Sequence, residues 1–151
     1  MQFTYVNPTV IHFGQGQINA ISQAVDTSKK VLVIYGGGSI KSNGVYDQVV
    51  ASLKDHAWIE FAGVEANPTK ETLDKAVALV KEENVEFIIA VGGGSVIDGS
   101  KYVAAAAKYD GDGWDILAGK HQVTEATPIG AVLTLPATGS ESNMGAVITR
   151  K

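Results

Sequence analysis

The sequence predicts an open α/β sheet, mostly parallel, with helices on both faces. Short apolar, β-branched runs stop abruptly on glycine in "KKVLVIYGGGS" and "FIIAVGGGS", and a further apolar run in "PIGAVLTLPATGSESN" stops at Pro136. Stretches of helical period separate these runs. Tight hairpin signals are few after residue 25, so successive strands must be joined by crossovers, which makes neighbours parallel.

The elements follow in chain order. Two extended pieces open the sequence, at residues 3–5 and 10–13, split by Asn7-Pro8; Pro8 fits a turn or an edge but not a central strand. "GQGQINAISQAV" places Ile18, Ile21 and Val25 at helical spacing. "KKVLVIYGGGS" is a buried strand. Val45, Val49 and Leu53 give the next helix its apolar stripe, ending near His56, and "AWIEFAG" supplies another strand. Thr69 caps a helix with Leu73, Ala76, Val77 and Val80 on one face and Lys75, Lys81 and Glu82 outward. Residues 85–91 are continuous apolar strand, as expected of a strand covered on both faces. Residues 96–108 are an alanine-rich helix, "DGDGWD" is a solvated loop, and residues 129–135 are a last buried strand.

Bulk properties remove several function classes. At 45 % hydrophobic and 19 % charged, 151 residues make one soluble globular domain. A formal charge of −4 gives no footing to nucleic acid or an anionic membrane surface. There is no cysteine, hence no disulfide or thiolate chemistry. No apolar run reaches the roughly 18 residues of a membrane span and no secretory leader opens the sequence, so a cytoplasmic location is expected. His12, His56 and His121 form no H-x-x-x-H pair, and there is no G-x-S-x-G elbow.

Loops carry what remains. Of 17 glycines, many fall in clusters at Gly36-Gly37-Gly38, Gly92-Gly93-Gly94 and Gly111/Gly113. Both triple-glycine turns and "LPATGSES" belong on the C-terminal edge of the sheet, where open α/β folds bind ligands. "VGGGSVIDGSK" fits neither common phosphate loop. G-x-G-x-x-G would need glycine where Ile97 stands, and Ser100-Lys101 reverses the order of a P-loop. Gly93, Gly94 and Ser95 nonetheless open a helix, whose N–H groups and dipole favour a phosphate. Ser95 alternatively serves only as an N-cap. Asp98, in the first helical turn, is unfavourable beside a phosphate, so a hydroxyl or an amide is the partner expected of it.

Five stretches resemble the N-terminal part of the iron-containing (group III) alcohol dehydrogenases, especially their NADP-dependent butanol dehydrogenase and aldehyde reductase members. These are "FGQG", "YGGGSIKSNGVYDQV", "NPTKETL", "VGGGSVIDGSKYVAAAA" and "LTLPATGSESNMGAVITRK", in family order over essentially the whole chain. The resemblance implies a Rossmann-like dinucleotide-binding domain over residues 1–151. Its enzyme moves hydride between NADPH and a small alcohol/aldehyde pair. At matching positions Gly93, Gly94 and Ser95 hold the pyrophosphate, and Asp98 lies near the nicotinamide ribose and carboxamide. Asn67 and Pro68 line the adenosine side, Thr134, Leu135, Thr138 and Ser140 wrap the pyrophosphate and nicotinamide, and Val147 packs on the ring.

NAD-preferring folds place an acid near a strand end to accept the ribose 2′-OH, and NAD-using family members carry an aspartate that resembles this arrangement. The corresponding stretch here is Gly36, Gly37, Gly38 and Ser39, which does not repel a 2′-phosphate. The expected cofactor is therefore NADP(H). The resemblance also implies Fe2+ or Zn2+, held by an Asp and several His of a helical C-terminal domain that this chain lacks. The chain is then expected to be a truncated cofactor half that binds without turnover, the alternative being a non-catalytic nucleotide-binding module. A homodimer is implied too, with the extended segment near residues 2–5 pairing across subunits.

Overall fold

Val31–Tyr35 is five successive apolar residues, every one buried, and such a strand belongs inside a sheet covered on both faces. In the computed structural model, which describes all 151 residues, it is β1 of a four-stranded sheet. The others are β2 (Trp58–Phe61), β3 (Phe87–Gly92) and β4 (Ile129–Leu133). Their spatial order is β2-β1-β3-β4 and every pairing is parallel, Val31 lying beside Trp58 and Phe87, and Ile88 beside Ile129.

The helices are α1 (Ile21–Ala24), α2 (Ser39–Ser42), α3 (Val45–Ser52), α4 (Lys70–Glu82), α5 (Gly94–Ala106) and α6 (Trp114–Leu117). Period-2 alternation along the strands divides the core between two faces. Leu32, Ile34, Ile88 and Ala90 pack with Leu73, Ala76 and Val80 of α4 and with Ile97 and Val103 of α5. Val31, Val33, Ile89 and Val91 pack with Val25, Ile40, Val49 and Leu53 on the other side. Each fully buried aliphatic side chain contributes about 1.5–3 kcal/mol.

This division fixes the connections. The β1-to-β2 crossover runs through α2 and α3 on one face, while β2-to-β3 and β3-to-β4 run through α4 and α5 on the other. The chain therefore leaves the adjacent strands β1 and β3 in opposite directions. Between their C-terminal ends lies a topological switch point, the place where an open α/β sheet parts into a crevice.

Several expectations need correction. The pieces at residues 3–5 and 10–13 enter no ladder; a strand needs a partner for its N–H and C=O groups, and this chain offers none. Helix 17–25 splits into a 3-10 turn, Gln17–Ala20, and the single turn of α1. α5 starts two residues earlier than expected, because extended Gly93 presents its carbonyl to the Ile97 N–H. "DGDGWD" is not simply solvated. Asp112 accepts the Trp114 N–H at 2.9 Å, opening α6, and pairs at 3.0 Å with Lys70, which also pairs with Asp74. No helix is long and apolar enough to cross a membrane.

Leu73 is fully buried between α4 and α5, and a Cβ on Gly99 would come within 2.8 Å of it. Leu73→Ala is expected to lower unfolding free energy by about 2–5 kcal/mol in urea denaturation, with an unchanged slope.

Candidate functional site

Each loop at the C-terminal edge is tied to its neighbour through backbone. After β2 the chain turns back so that Gly63 and Val64 donate N–H bonds to the carbonyls of Gly36 and Tyr35, at 3.0 and 3.2 Å. A Cβ on Gly36 would lie 3.1 Å from the Val64 oxygen, so a side chain there would push the two loops apart by a few tenths of an ångström. After β4, Thr134 donates to the Gly92 carbonyl at 3.0 Å. Thr138 then lies so close to Gly94 that a Cβ there would meet its Oγ1 at 2.6 Å, and a Cβ on Gly93 would touch Leu135 at 3.6 Å. The chain's last residues return to the start of α4: Thr149 donates to Pro68 and accepts from Lys70, at 2.9 and 2.8 Å. Asn67, with φ 58°, makes the turn that permits this.

The sequence-derived candidates accordingly share one edge. Gly93, Gly94, Ser95, Asp98, Thr134, Leu135, Thr138, Ser140 and Val147 form a connected group around the start of α5. Gly36, Gly37, Gly38 and Ser39 stand across the switch point, and Asn67 and Pro68 lie under the returning tail. Gly37 and Ser39 are exposed, and Pro68 is buried.

The helix amino ends differ in what fills them. In α4, Thr69 accepts the Thr72 N–H at 3.4 Å, and Glu65 accepts the hydroxyls of Thr72 and Thr69 at 2.5 and 3.2 Å. In α3, Asn43 Oδ1 accepts the Val45 N–H at 3.1 Å and Asp47 lies in the first turn. α5 has no side-chain cap and no acid in its first turn. Its first helical bond is Ile97 N–H to the Gly93 carbonyl, which leaves the N–H groups of Gly94, Ser95 and Val96 without a helical partner. Ser95 is thus the second residue of the helix and not its cap.

Asp98 lies in the second turn, correcting its expected place in the first, and its carboxylate is already engaged. It accepts the Ser140 hydroxyl at 2.6 Å and the Val147 N–H at 2.9 Å, the hydroxyl and amide partners its chemistry favours. Ser140 in turn shares a hydrogen bond of 3.0 Å with Thr138. The acid near the Gly36–Gly38 turn is Glu60 on β2. It is engaged too, accepting the Tyr46 hydroxyl at 2.6 Å and lying 3.9 Å from Lys41 Nζ. Sequence reasoning missed Glu60, and it missed Lys101, whose ammonium donates to Asn143 and Gly145. The order Ser100-Lys101 marked that lysine only as a failed P-loop. The edge is therefore a crevice with N–H donors that lack a helical partner, and its nearby carboxylates are already committed to hydroxyls. Such a donor set suits a phosphate-bearing ligand.

No group of three or more His, Cys, Asp or Glu side chains is placed to hold a metal. His56 is buried with Nε2 2.8 Å from the Val25 carbonyl oxygen, and His121 stacks on Tyr109. A groove of about 510 Å³ at the opposite edge of the sheet holds none of the candidate residues.

A family model described as iron-containing alcohol dehydrogenase matches residues 8–151. The chain is 55% identical to a probable NADH-dependent butanol dehydrogenase 1 of Bacillus subtilis, with 97% of this chain and 39% of that protein covered. It is 53% identical to the NADPH-dependent aldehyde reductase YqhD of Escherichia coli, with 99% and 39% covered. The crystal structure of NADH-dependent butanol dehydrogenase A from Thermotoga maritima superposes with a TM-score of 0.95 at 51% identity, over 99% of this chain and 38% of that one. The chain belongs to the iron-containing alcohol dehydrogenase family and has the Rossmann-like fold of its N-terminal region, spanning about 39% of the length of these relatives. The family's iron finds no ligand set among this chain's residues.

The hydrogen bond from Thr72 holds the Glu65 carboxyl below its ordinary value of 4.5. A depressed acid stabilises the fold above its unfolded value, and that contribution is lost as pH falls through the folded one. Glu65→Gln is therefore expected to flatten the decline of Tm below about pH 4.5, relative to the parent chain.

Proposed function

We propose that this chain is the cofactor-binding part of an NADP(H)-dependent alcohol dehydrogenase or aldehyde reductase, its residues 1–151 forming the dinucleotide domain. The observation that carries the reading is the open amino end of α5 at the switch point, beside loops whose acids are already paired. The backbone N–H groups at Gly94 and Ser95, with the close approach that Gly93 and Gly94 allow, take the pyrophosphate. Thr134, Leu135, Thr138 and Ser140 line its other side and lead toward the nicotinamide, against which Val147 packs. Asn67 and Pro68 border the adenosine. Asp98 serves this end through Ser140 and Val147, which it orients.

The Gly36–Ser39 turn takes the 2′-phosphate. Among the relatives both NADH and NADPH users occur, so the preference for NADP(H) rests on this chain's own turn. It lacks an acid, and Glu60 is turned to Tyr46. When bound, the nicotinamide supplies the hydride; the protein binds it, orients it and excludes water. The chain alone binds cofactor without turnover, since its side chains form no metal set. Measurable NADPH oxidation with a short aldehyde and Fe2+ by the chain alone would overturn that statement.

Gly37 offers a test of charge alone. No atom lies within 4 Å of a Cβ placed there and its φ is outside the left-handed region, so Gly37→Asp adds a carboxylate without strain. By calorimetry, its NADPH Kd should rise about tenfold or more while the NADH Kd stays within about threefold. Equal Kd values for the two cofactors in the parent chain would refute the NADP(H) assignment.

The N-terminal segment supports pairing of two copies. Phe3, Tyr5, Val10, Ile11 and Phe13 are 72–93% exposed and none belongs to a strand, as expected of a segment that pairs outside its own chain. Removal of residues 2–5 is expected to convert a dimer to a monomer in sedimentation velocity.

A further inference from the structure

α5 holds the loop of residues 138–147 with two side chains one turn apart. Asp98 takes the Ser140 hydroxyl and the Val147 N–H. Lys101, its side chain 17% exposed, donates to the Asn143 carbonyl at 3.2 Å, to Asn143 Oδ1 at 3.0 Å and to the Gly145 carbonyl, and lies 3.5 Å from Asp98 Oδ1. An ammonium has three N–H donors, and here they converge on one loop. Outside α5, the loop's long-range hydrogen bond is from Asn7 Nδ2 to the Ser142 carbonyl at 3.0 Å, and its remaining bonds are internal to it. Met144 and Val147 are 100% and 76% exposed, so apolar burial contributes little, and its regular structure is the 3-10 turn Ser140–Ser142.

We propose that Lys101 is a positioning residue: its ammonium sets the 138–147 loop against the amino end of α5 and so holds Thr138 and Ser140 in ligand-binding register. The inference rests on the cofactor reading above, and it specifies which half of the ligand feels the lysine. The loop borders the pyrophosphate–nicotinamide half, while the 2′-phosphate turn is carried by β1 and is independent of Lys101.

The test compares NADPH with 2′,5′-ADP, which lacks the nicotinamide half, by calorimetry on the intact protein carrying this chain. Lys101→Met should raise the NADPH Kd about tenfold or more and leave that of 2′,5′-ADP within about twofold, with unchanged circular dichroism. Lys101→Arg keeps the charge but spreads its donors in a planar fork, and should fall between Met and the parent. Equal weakening of both ligands, or no change in NADPH, overturns the proposal. Should Lys101→Met fail to fold, Asn143→Ala removes one acceptor of the ammonium together with the loop's own bonds to the Gly145 N–H and the Thr138 carbonyl; it must show the same split between the two ligands, and the absence of that split overturns the proposal. A parent protein that binds neither ligand refutes the cofactor reading itself, an outcome separable from the failure of the lysine clamp.

Discussion

The parallel ladder between β1 and β3 is the constraint on which the rest depends. Every strand residue of β1 is matched to one of β3, from Val31 beside Phe87 to Tyr35 beside Val91. Parallel pairing places the ends of both strands on the same edge, and the opposite directions of their onward connections part the loops that follow. The crevice needs no special residue to open it. Glycine decides how closely the walls approach: at Gly36 the neighbouring wall is the Val64 carbonyl, and at Gly94 it is Thr138.

Electrostatics then select among the loops. Glu65, Asp98 and Glu60 all lie at or near this edge, and each is held by a hydroxyl: Thr72, Ser140 and Tyr46. A carboxylate engaged in this way contributes to the architecture and projects less of its charge into the crevice. The N–H groups that open α5 keep their positive field, because no side chain caps them and no acid stands in the first turn. Acids are thus abundant near the site without spoiling it for an anion, a combination that composition alone hides behind a net charge of −4.

The buried strands were legible because they are local. Unbroken apolar runs at Val31–Tyr35 and Phe87–Gly92 admit few other structures, and the glycines that follow mark the edge of the sheet. The candidate loops were legible for the same reason. Features that depend on a distant partner were not. The extended pieces at residues 3–5 and 10–13 have the composition of strands but nothing in the chain to pair with. The start of α5 is set by Gly93 adopting an extended conformation, with φ −90° and ψ −166°, which glycine does not announce. Asp98 had its partner types foreseen, but Ser140 lies 42 residues away. Lys101 became intelligible only once Asn143 and Gly145 were placed beside it.

The returning tail has a consequence for how the protein comes into being. Thr149 joins Pro68 and Lys70, and the Lys151 N–H reaches Glu71 across 80 residues of sequence. Contacts of such separation form late, after the loop-closure entropy has been met. The sheet order can therefore be established before the lip beside α4 is in place, and the crevice acquires that part of its outline only when residues 149–151 dock on residues 68–71.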